Sequence, residues 1–233
     1  MAANMGQGGA TMMDFTCPHC KETLHVPERY VGASGTCKKC GGKITIMMTS
    51  PFVPKSGLLM PTSLKDYAHR NEQILEAAAK GRTEEVTALL RSGANVNAKD
   101  KFAMMPLHHA ARFGHVEVVK ILVAEGADVN ARAGDGCTPL HYAATAAHKE
   151  TLKILAARVF NIDAKDKDGQ TPLHLVARSI ADKTTVKDIV TMLIARGANV
   201  NARSMDGSTP MHEAQEHGHP EVVDLLRQYG GHE

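Results

Sequence analysis

The sequence predicts a mostly α-helical solenoid of short stacked units preceded by a small β module, on three observations. A phrase recurs as Met105-Pro-Leu-His108, Thr138-Pro-Leu-His141, Thr171-Pro-Leu-His174 and Thr209-Pro-Met-His212, with the prolines 33, 33 and 38 residues apart. A period of that size marks units too small to bury their own apolar faces, which must stack on their neighbours. Four of the five cysteines stand near the N-terminus as Cys17/Cys20 and Cys37/Cys40, two C-x2-C pairs sixteen residues apart. Between the two regions, residues 50–63 carry three prolines and Gly57, which excludes a continuous helix or a central strand there.

Composition narrows the classes. Hydrophobic residues make up 43% of 233, ample for a packed core, and the net charge is only +2. A binder of polyanions usually carries a strong basic excess or stripe. No apolar run approaches membrane-spanning length, and Met1 to Met13 lacks the basic and apolar parts of an export signal. An odd cysteine count in C-x-x-C spacing suits metal binding in a reducing compartment better than a disulfide framework. The expectation is a cytoplasmic monomer without a membrane segment.

Residues 1–13 read as a disordered tail of small residues, and residues 14–49 as the module. Each C-x-x-C can form a knuckle that aims two thiolates at one ion, and two knuckles complete the tetrahedron that zinc prefers. Gly41 and Gly42 let the chain turn past the second knuckle. Leu24 and Val26, then Ile44 and Ile46, alternate as strands do. The stretch from Phe15 through Gly42 resembles the short zinc ribbons at the N-termini of many bacterial proteins. That resemblance implies a structural Zn2+ held by Cys17, Cys20, Cys37 and Cys40, with no particular activity. Mononuclear iron in a rubredoxin-like site and a redox dithiol are the competing readings of the same spacing. His19 and His25 read as surface residues, because four thiolates already close the shell. Zinc binding here would also be folding, since about 35 residues cannot build a sufficient core alone.

Residues 50–63 read as a tether. Thr62-Ser63 followed by Asp66 has the form of a helix start, and Leu64, Tyr67, Ala68, Ile74, Leu75 and Ala78 keep helical spacing over about 64–80.

Aligned on its prolines, one unit runs Asp135-Gly-Cys-Thr-Pro-Leu-His-Tyr-Ala-Ala, then a second helical stretch such as Val116 to Val123, then Gly126-Ala-Asp-Val-Asn130. This resembles the ankyrin repeat across residues 70–233. Five repeats fit, at about 70–99, 100–132, 133–165, 166–203 and 204–233, within a repeat domain spanning 64–233. Threonine is a good N-cap and proline fits the first helical position. Gly93, Gly126 and Gly197 stand where a left-handed residue ends a helix. His108, His141, His174 and His212 invite a metal reading, but the resemblance implies that each imidazole bonds the backbone of the neighbouring hairpin. Cys137 reads as a small residue with no base beside it.

The departures from the repeat are the places to look for function. The second unit puts Ala103 and Met105 where its neighbours have Gly and Thr, losing an N-cap worth about 1 kcal/mol. It also puts Phe102 and Met104 at its hairpin tip. In ankyrin proteins partners lie against these tips and the exposed face of the inner helices. Carried over by position, that surface comprises Glu76 and Lys80, then His109, Arg112 and Phe113, then Tyr142 and Thr145, then Leu175 and Arg178, then Glu213. Aromatic and Arg side chains clustered on an exposed face make a binding hot spot; the opposing reading is that they pack against one another between units. Val159-Phe160 replaces the Gly-Ala of other units, so the third unit should end its helix differently, burying Phe160. Five additional residues between Arg178 and Val186 should form a longer loop.

The expected function is a non-enzymatic scaffold that binds a protein partner. The alternative is a nucleic-acid-associated adaptor using the ribbon. The ribbon's side chains carry five basic against three acidic residues, and four thiolates on zinc cancel the excess. A zinc closed by four cysteines has no open position for water, and no phosphate loop or nucleophile motif is present.

Overall fold

The computed structural model describes residues 12–16, 23–27, 34–36, 43–45 and 64–232, with side chains from 66 onward. Contacts divide the chain into two units, Met1–Gly57 and Leu58–Glu233. In the first, β1 (Met12–Thr16) pairs antiparallel with β2 (Thr23–Pro27), and β3 (Ser34–Thr36) with β4 (Lys43–Thr45). The Cys17/Cys20, Gly41-Gly42 and Cys37/Cys40 positions, the 1–11 tail and the 46–63 stretch lie outside the described residues.

In the second unit ten described helices follow one another as five pairs: α1 (Leu64–Ala79) with α2 (Thr83–Arg91), α3 (Pro106–Arg112) with α4 (Val116–Ala124), α5 (Pro139–Thr145) with α6 (Lys149–Ala156), α7 (Pro172–Ala177) with α8 (Lys183–Ala195), and α9 (Pro210–Glu216) with α10 (Pro220–Gln228). Proline opens each inner helix from α3 onward because the N–H it lacks would have no helical partner there. Each inner helix packs on the next inner helix and each outer helix on the next outer one. Alanine pairs 77/78, 110/111 and 143/144 are fully buried and let the helices approach closely, with Ile74, Leu107, Leu140, Leu173 and Met211 filling the layer beneath. One cluster of apolar side chains runs from Ile74 to Leu226, each buried Leu or Ile contributing about 1.5–3 kcal/mol.

Hydrogen bonds repeat with the unit. The ring Nε2 of His108, His141 and His174 lies 3.1, 3.2 and 3.1 Å from the carbonyls of Ala131, Gln170 and Ser208. A carbonyl only accepts, so Nε2 carries the proton and Nδ1 accepts. Nδ1 takes the N–H of Met105, Thr138 and Thr171 at 3.0, 3.1 and 3.2 Å. The threonine hydroxyls point at the same Nδ1, 2.8 Å away in the third and fourth units. The expected hydroxyl cap is thereby corrected for the third and fourth units, whereas in the fifth Thr209 Oγ1 does accept the His212 N–H, at 3.4 Å. Imidazole caps the helix entry and the hydroxyl supports the imidazole, so Met105 forfeits only that support. Burial holds His108 down to about 4, against the opposing pull of the Ala131 carbonyl, and lowers His141 and His174 in the same way.

A second histidine row was present in the sequence but not read there. His115, His148 and His219 reach back to the carbonyls of Ala79, Arg112 and Ser179, at 3.0, 3.1 and 2.7 Å. A Cβ built on Gly81 or Gly114 would lie 2.5 or 2.7 Å from the ring of the following unit's histidine. The third unit has Ala147 at this left-handed place (φ 52°), and the fourth has Asp182 in place of the histidine.

Two expectations are corrected. The additional residues of the fourth unit go mostly into helix: α8 has 13 residues against 9 in α4. Asp182 caps it, accepting the Thr185 N–H at 2.9 Å. Phe160 is not buried but 96% exposed. Elsewhere the residue after the left-handed glycine donates to the helix, as Ala127 does to the Leu122 carbonyl at 2.9 Å. Without that glycine, α6 stops at Ala156 and the Phe160 N–H turns to Asn130 Oδ1 at 3.2 Å, leaving its ring outside.

Candidate functional site

The hairpin tips are held by half-buried aspartates. Asp100 Oδ1 accepts the N–H groups of Phe102 and Met104 at 2.8 and 2.9 Å, and Asp166 Oδ1 those of Asp168 and Gln170 at 3.0 and 2.8 Å. Successive tips are tied together: the N–H of Gly134 donates to the Phe102 carbonyl at 2.7 Å, Lys167 to Asp135 at 3.0 Å, and Met205 to Asp168 at 2.8 Å.

Between these tips and the inner helices of the second, third and fourth units runs a groove of about 1030 Å³. Of the residues proposed from the sequence, it brings together Phe102, Met104, Arg112, Phe113, Tyr142, Thr145, Leu175 and Arg178. His109 does not line it; its Nε2 lies 3.0 Å from Asp100 Oδ2, behind the second tip. The tips contribute Lys101, Asp135, Asp166, Asp168 and Gln170 as well. Of these, Asp135 and Asp168 share the hairpin register of Phe102, but aspartate is what such a turn ordinarily contains.

Exposure divides the set. Phe102 and Phe113 are 61% and 50% exposed, and Arg112 and Thr145 are also open. Met104 at 5% and Leu175 at 3% are corrections to an exposed contact surface. Ala103 is left-handed (φ 58°) and turns the chain back, so Met104 enters the hairpin while Phe102 stays outside. Leu175 forms floor. Glu213 is buried as well, and burial raises its carboxyl against the pull of Arg178. Glu76 pairs with Lys80, just past the end of its own helix.

Lys101 lies over the Phe102 ring at 5.0 Å and Arg112 over Phe113 at 5.7 Å, so each aromatic carries a cation on its face. Tyr142 donates its hydroxyl to Asp135 Oδ2 at 2.7 Å. Burial, then Asp135, raises the Tyr142 phenol. Burial also raises Asp135, but the Tyr142 hydroxyl and the Cys137 N–H outweigh it and the net shift is downward. Asp100 behaves alike: burial raises it, and the Met104 and Phe102 N–H groups with His109 bring it below the usual range. Cys137 is pushed up to about 12 by burial and by the charges of Asp135 and Asp166. It stays a thiol at neutral pH, and thiols are poor nucleophiles.

The phrase histidines are spaced one per unit, each committed to backbone, and among the described residues no three His, Cys, Asp or Glu side chains converge as a metal site. No described helix is long and apolar enough to cross a membrane.

Among curated proteins none matches the chain. The family described as Ankyrin repeats (3 copies) matches residues 74–166 and again 148–233. Those spans cover most of the chain and all of the helix pairs from the end of α1 onward, so the chain belongs to the ankyrin-repeat family.

Proposed function

We propose that this chain is a non-enzymatic scaffold of five ankyrin repeats that binds a protein partner in the groove across its second, third and fourth units. The observation that carries this reading is the gathering of Phe102, Arg112 and Phe113 of the second unit with Tyr142 of the third and Arg178 of the fourth along one open groove. Rigid aromatic and Arg side chains supply most of the energy at protein interfaces. No activated nucleophile stands there, since Cys137 is held as a thiol.

The N-terminal module is proposed to hold one structural zinc through Cys17, Cys20, Cys37 and Cys40. In support, each C-x-x-C pair falls in the connection of a two-stranded antiparallel sheet, between β1 and β2 and between β3 and β4. A reducing, cytoplasmic location suits these thiols.

Affinity capture with wild-type protein and a Phe102→Glu/Phe113→Glu variant tests the groove. Both rings are exposed, so the variant should melt as wild type while losing the captured proteins. Retention of every partner by the folded variant would place binding elsewhere. Metal analysis should find one zinc per chain, lost in a Cys37→Ser/Cys40→Ser variant; an iron spectrum or a metal-free, reactive dithiol would overturn the zinc assignment.

A further inference from the structure

The two rims of the groove differ in charge. The rim made by the inner-helix ends carries Arg112 and Arg178, with Thr145 between them at the same helical position. The rim made by the tips of the third and fourth units carries Asp135, Asp166 and Asp168. Among the described residues, neither arginine makes an ion pair, and nor does Asp168. At the second unit the groove ends on the Phe102 and Phe113 rings.

The rims lie a helix-length apart. An inner helix of 7 residues is about 10 Å long, room for one extended segment with its side chains. Neighbouring inner helices are about 8–10 Å apart, the rise of about three extended residues. Arg112 and Arg178 stand two units apart. Two such steps span about 16–20 Å, or about five to six extended residues; because both arginines stand on one rim, the separation that serves both is the even one, about six, since even separations in an extended chain lie on one side. The tip carboxylates then face the odd positions between.

We propose that the occupant of this groove is an extended peptide segment with its charges divided between its two sides: acidic residues about six apart toward Arg112 and Arg178, basic residues at intervening odd positions toward Asp135, Asp166 and Asp168, and an apolar residue at the end that meets Phe102 and Phe113. The inference rests on the groove being the binding surface and adds the chemistry of what it takes. A uniformly acidic or basic segment would satisfy one rim and be repelled by the other, which is how such a surface rejects wrong partners.

The test uses two fluorescein-labelled synthetic peptides of about ten residues, read by anisotropy against the full-length protein. One has a terminal Leu, Glu at i and i+6 and Lys at i+3 and i+5; the other has Glu and Lys exchanged. The first should bind at least tenfold more tightly. An Arg112→Glu/Arg178→Glu/Asp168→Lys variant, checked for an unchanged circular dichroism spectrum, should reverse the order; Arg112→Gln/Arg178→Gln, should the reversal not fold, should erase the preference. Equal binding of both peptides, abolished by Phe113→Ala, would overturn the charge assignment while leaving the groove. Binding untouched by Phe113→Ala would overturn the groove itself. Failure of both peptides to bind, with the partner capture described above still dependent on Phe113, would overturn the extended segment alone.

Discussion

The hairpins at 100–105 and 166–171 have nearly the same backbone and very different side chains. In each, an aspartate at the first position accepts two N–H groups from the tip, the first and fifth residues exchange a backbone bond of 3.0 Å, and an imidazole Nδ1 takes the N–H of the sixth. Yet one reads Asp-Lys-Phe-Ala-Met-Met and the other Asp-Lys-Asp-Gly-Gln-Thr. The difference teaches that the shape belongs to the aspartate and the histidine. The remaining positions are free to carry Phe102 at the groove mouth, at a cost in strain and not in geometry.

What the two hairpins share should dominate stability against pH. His108 and His174 are both buried with ring pKa values below the ordinary histidine range, His108 at about 4. A base depressed in the fold leaves the unfolded chain binding more protons, so its stabilisation is complete above the unfolded value near 6.5 and is lost as pH falls from there toward 4. At 1.36 kcal/mol per unit, His108 alone accounts for about 3 kcal/mol. Urea titrations at pH 7 and pH 4.5 should show this loss, and a His108→Gln variant should lose part of the slope. A wild-type profile flat between pH 6.5 and 4.5 would break the claim that these imidazoles are neutral in the fold.

The junctions between units sharpen the same contrast. At Gly114 the His148 ring fills the space a Cβ would need, whereas Ala147 carries its methyl because Asp182 stands where a histidine would. Gly114→Ala would add left-handed strain and push the ring from the Arg112 carbonyl, a loss of about 2–3 kcal/mol. Ala147→Gly should change stability little, relief of strain offsetting one lost buried methyl. Equal effects in thermal melts would mean that the ring does not dictate the glycine.

Sequence alone carried the stacked-helix architecture because its signals are local. Proline at each helix start, Gly93, Gly126 and Gly197 at helix ends and the spacing of the buried leucines all act within one unit. The second histidine row was harder to read, since Gly114 is explained only by His148, a contact between units. Burial of Met104 depends on the left-handed turn at Ala103, and exposure of Phe160 on a bond to Asn130 thirty residues away. Helical growth of α8 was hidden because Asp182 looked like loop polarity and serves as a cap. The groove's aromatics stood out as departures from the repeat, but its acidic rim did not, since Asp is what a turn normally contains.

Removing the shared aspartate should separate the hairpins. Asp100→Ala frees the Phe102 and Met104 N–H groups and also the His109 ring, while Asp166→Ala frees two N–H groups and the weak thiol contact of Cys137, Sγ to Oδ2 at 3.8 Å. Losses of about 2 kcal/mol and about 1 kcal/mol are expected in urea unfolding. Asp100→Ala should in addition weaken partner capture, because the rim bearing Phe102 is no longer fixed. An Asp166→Ala loss larger than that of Asp100→Ala would show that His109 adds nothing.

The smallest effect bears most directly on why the second hairpin departs. Ala103 holds a left-handed φ of 58° where the other tips use Gly136, Gly169 and Gly207. Ala103→Gly removes that strain but enlarges the freedom of the unfolded chain, so a net gain of about 0.5 kcal/mol is expected. The reverse change in the regular hairpin is not its mirror: a Cβ on Gly169 would lie 2.9 Å from the Met205 backbone nitrogen, so Gly169→Ala should cost well over 1 kcal/mol. At Ala103 the turn is fixed by Asp100, which accepts the N–H groups on both sides of it. If Ala103→Gly stabilises the fold and leaves capture unchanged, the alanine is a tolerated substitution beside a functional phenylalanine. If capture weakens while stability rises, the methyl itself restrains the tip on which Phe102 is displayed, and the strain serves binding.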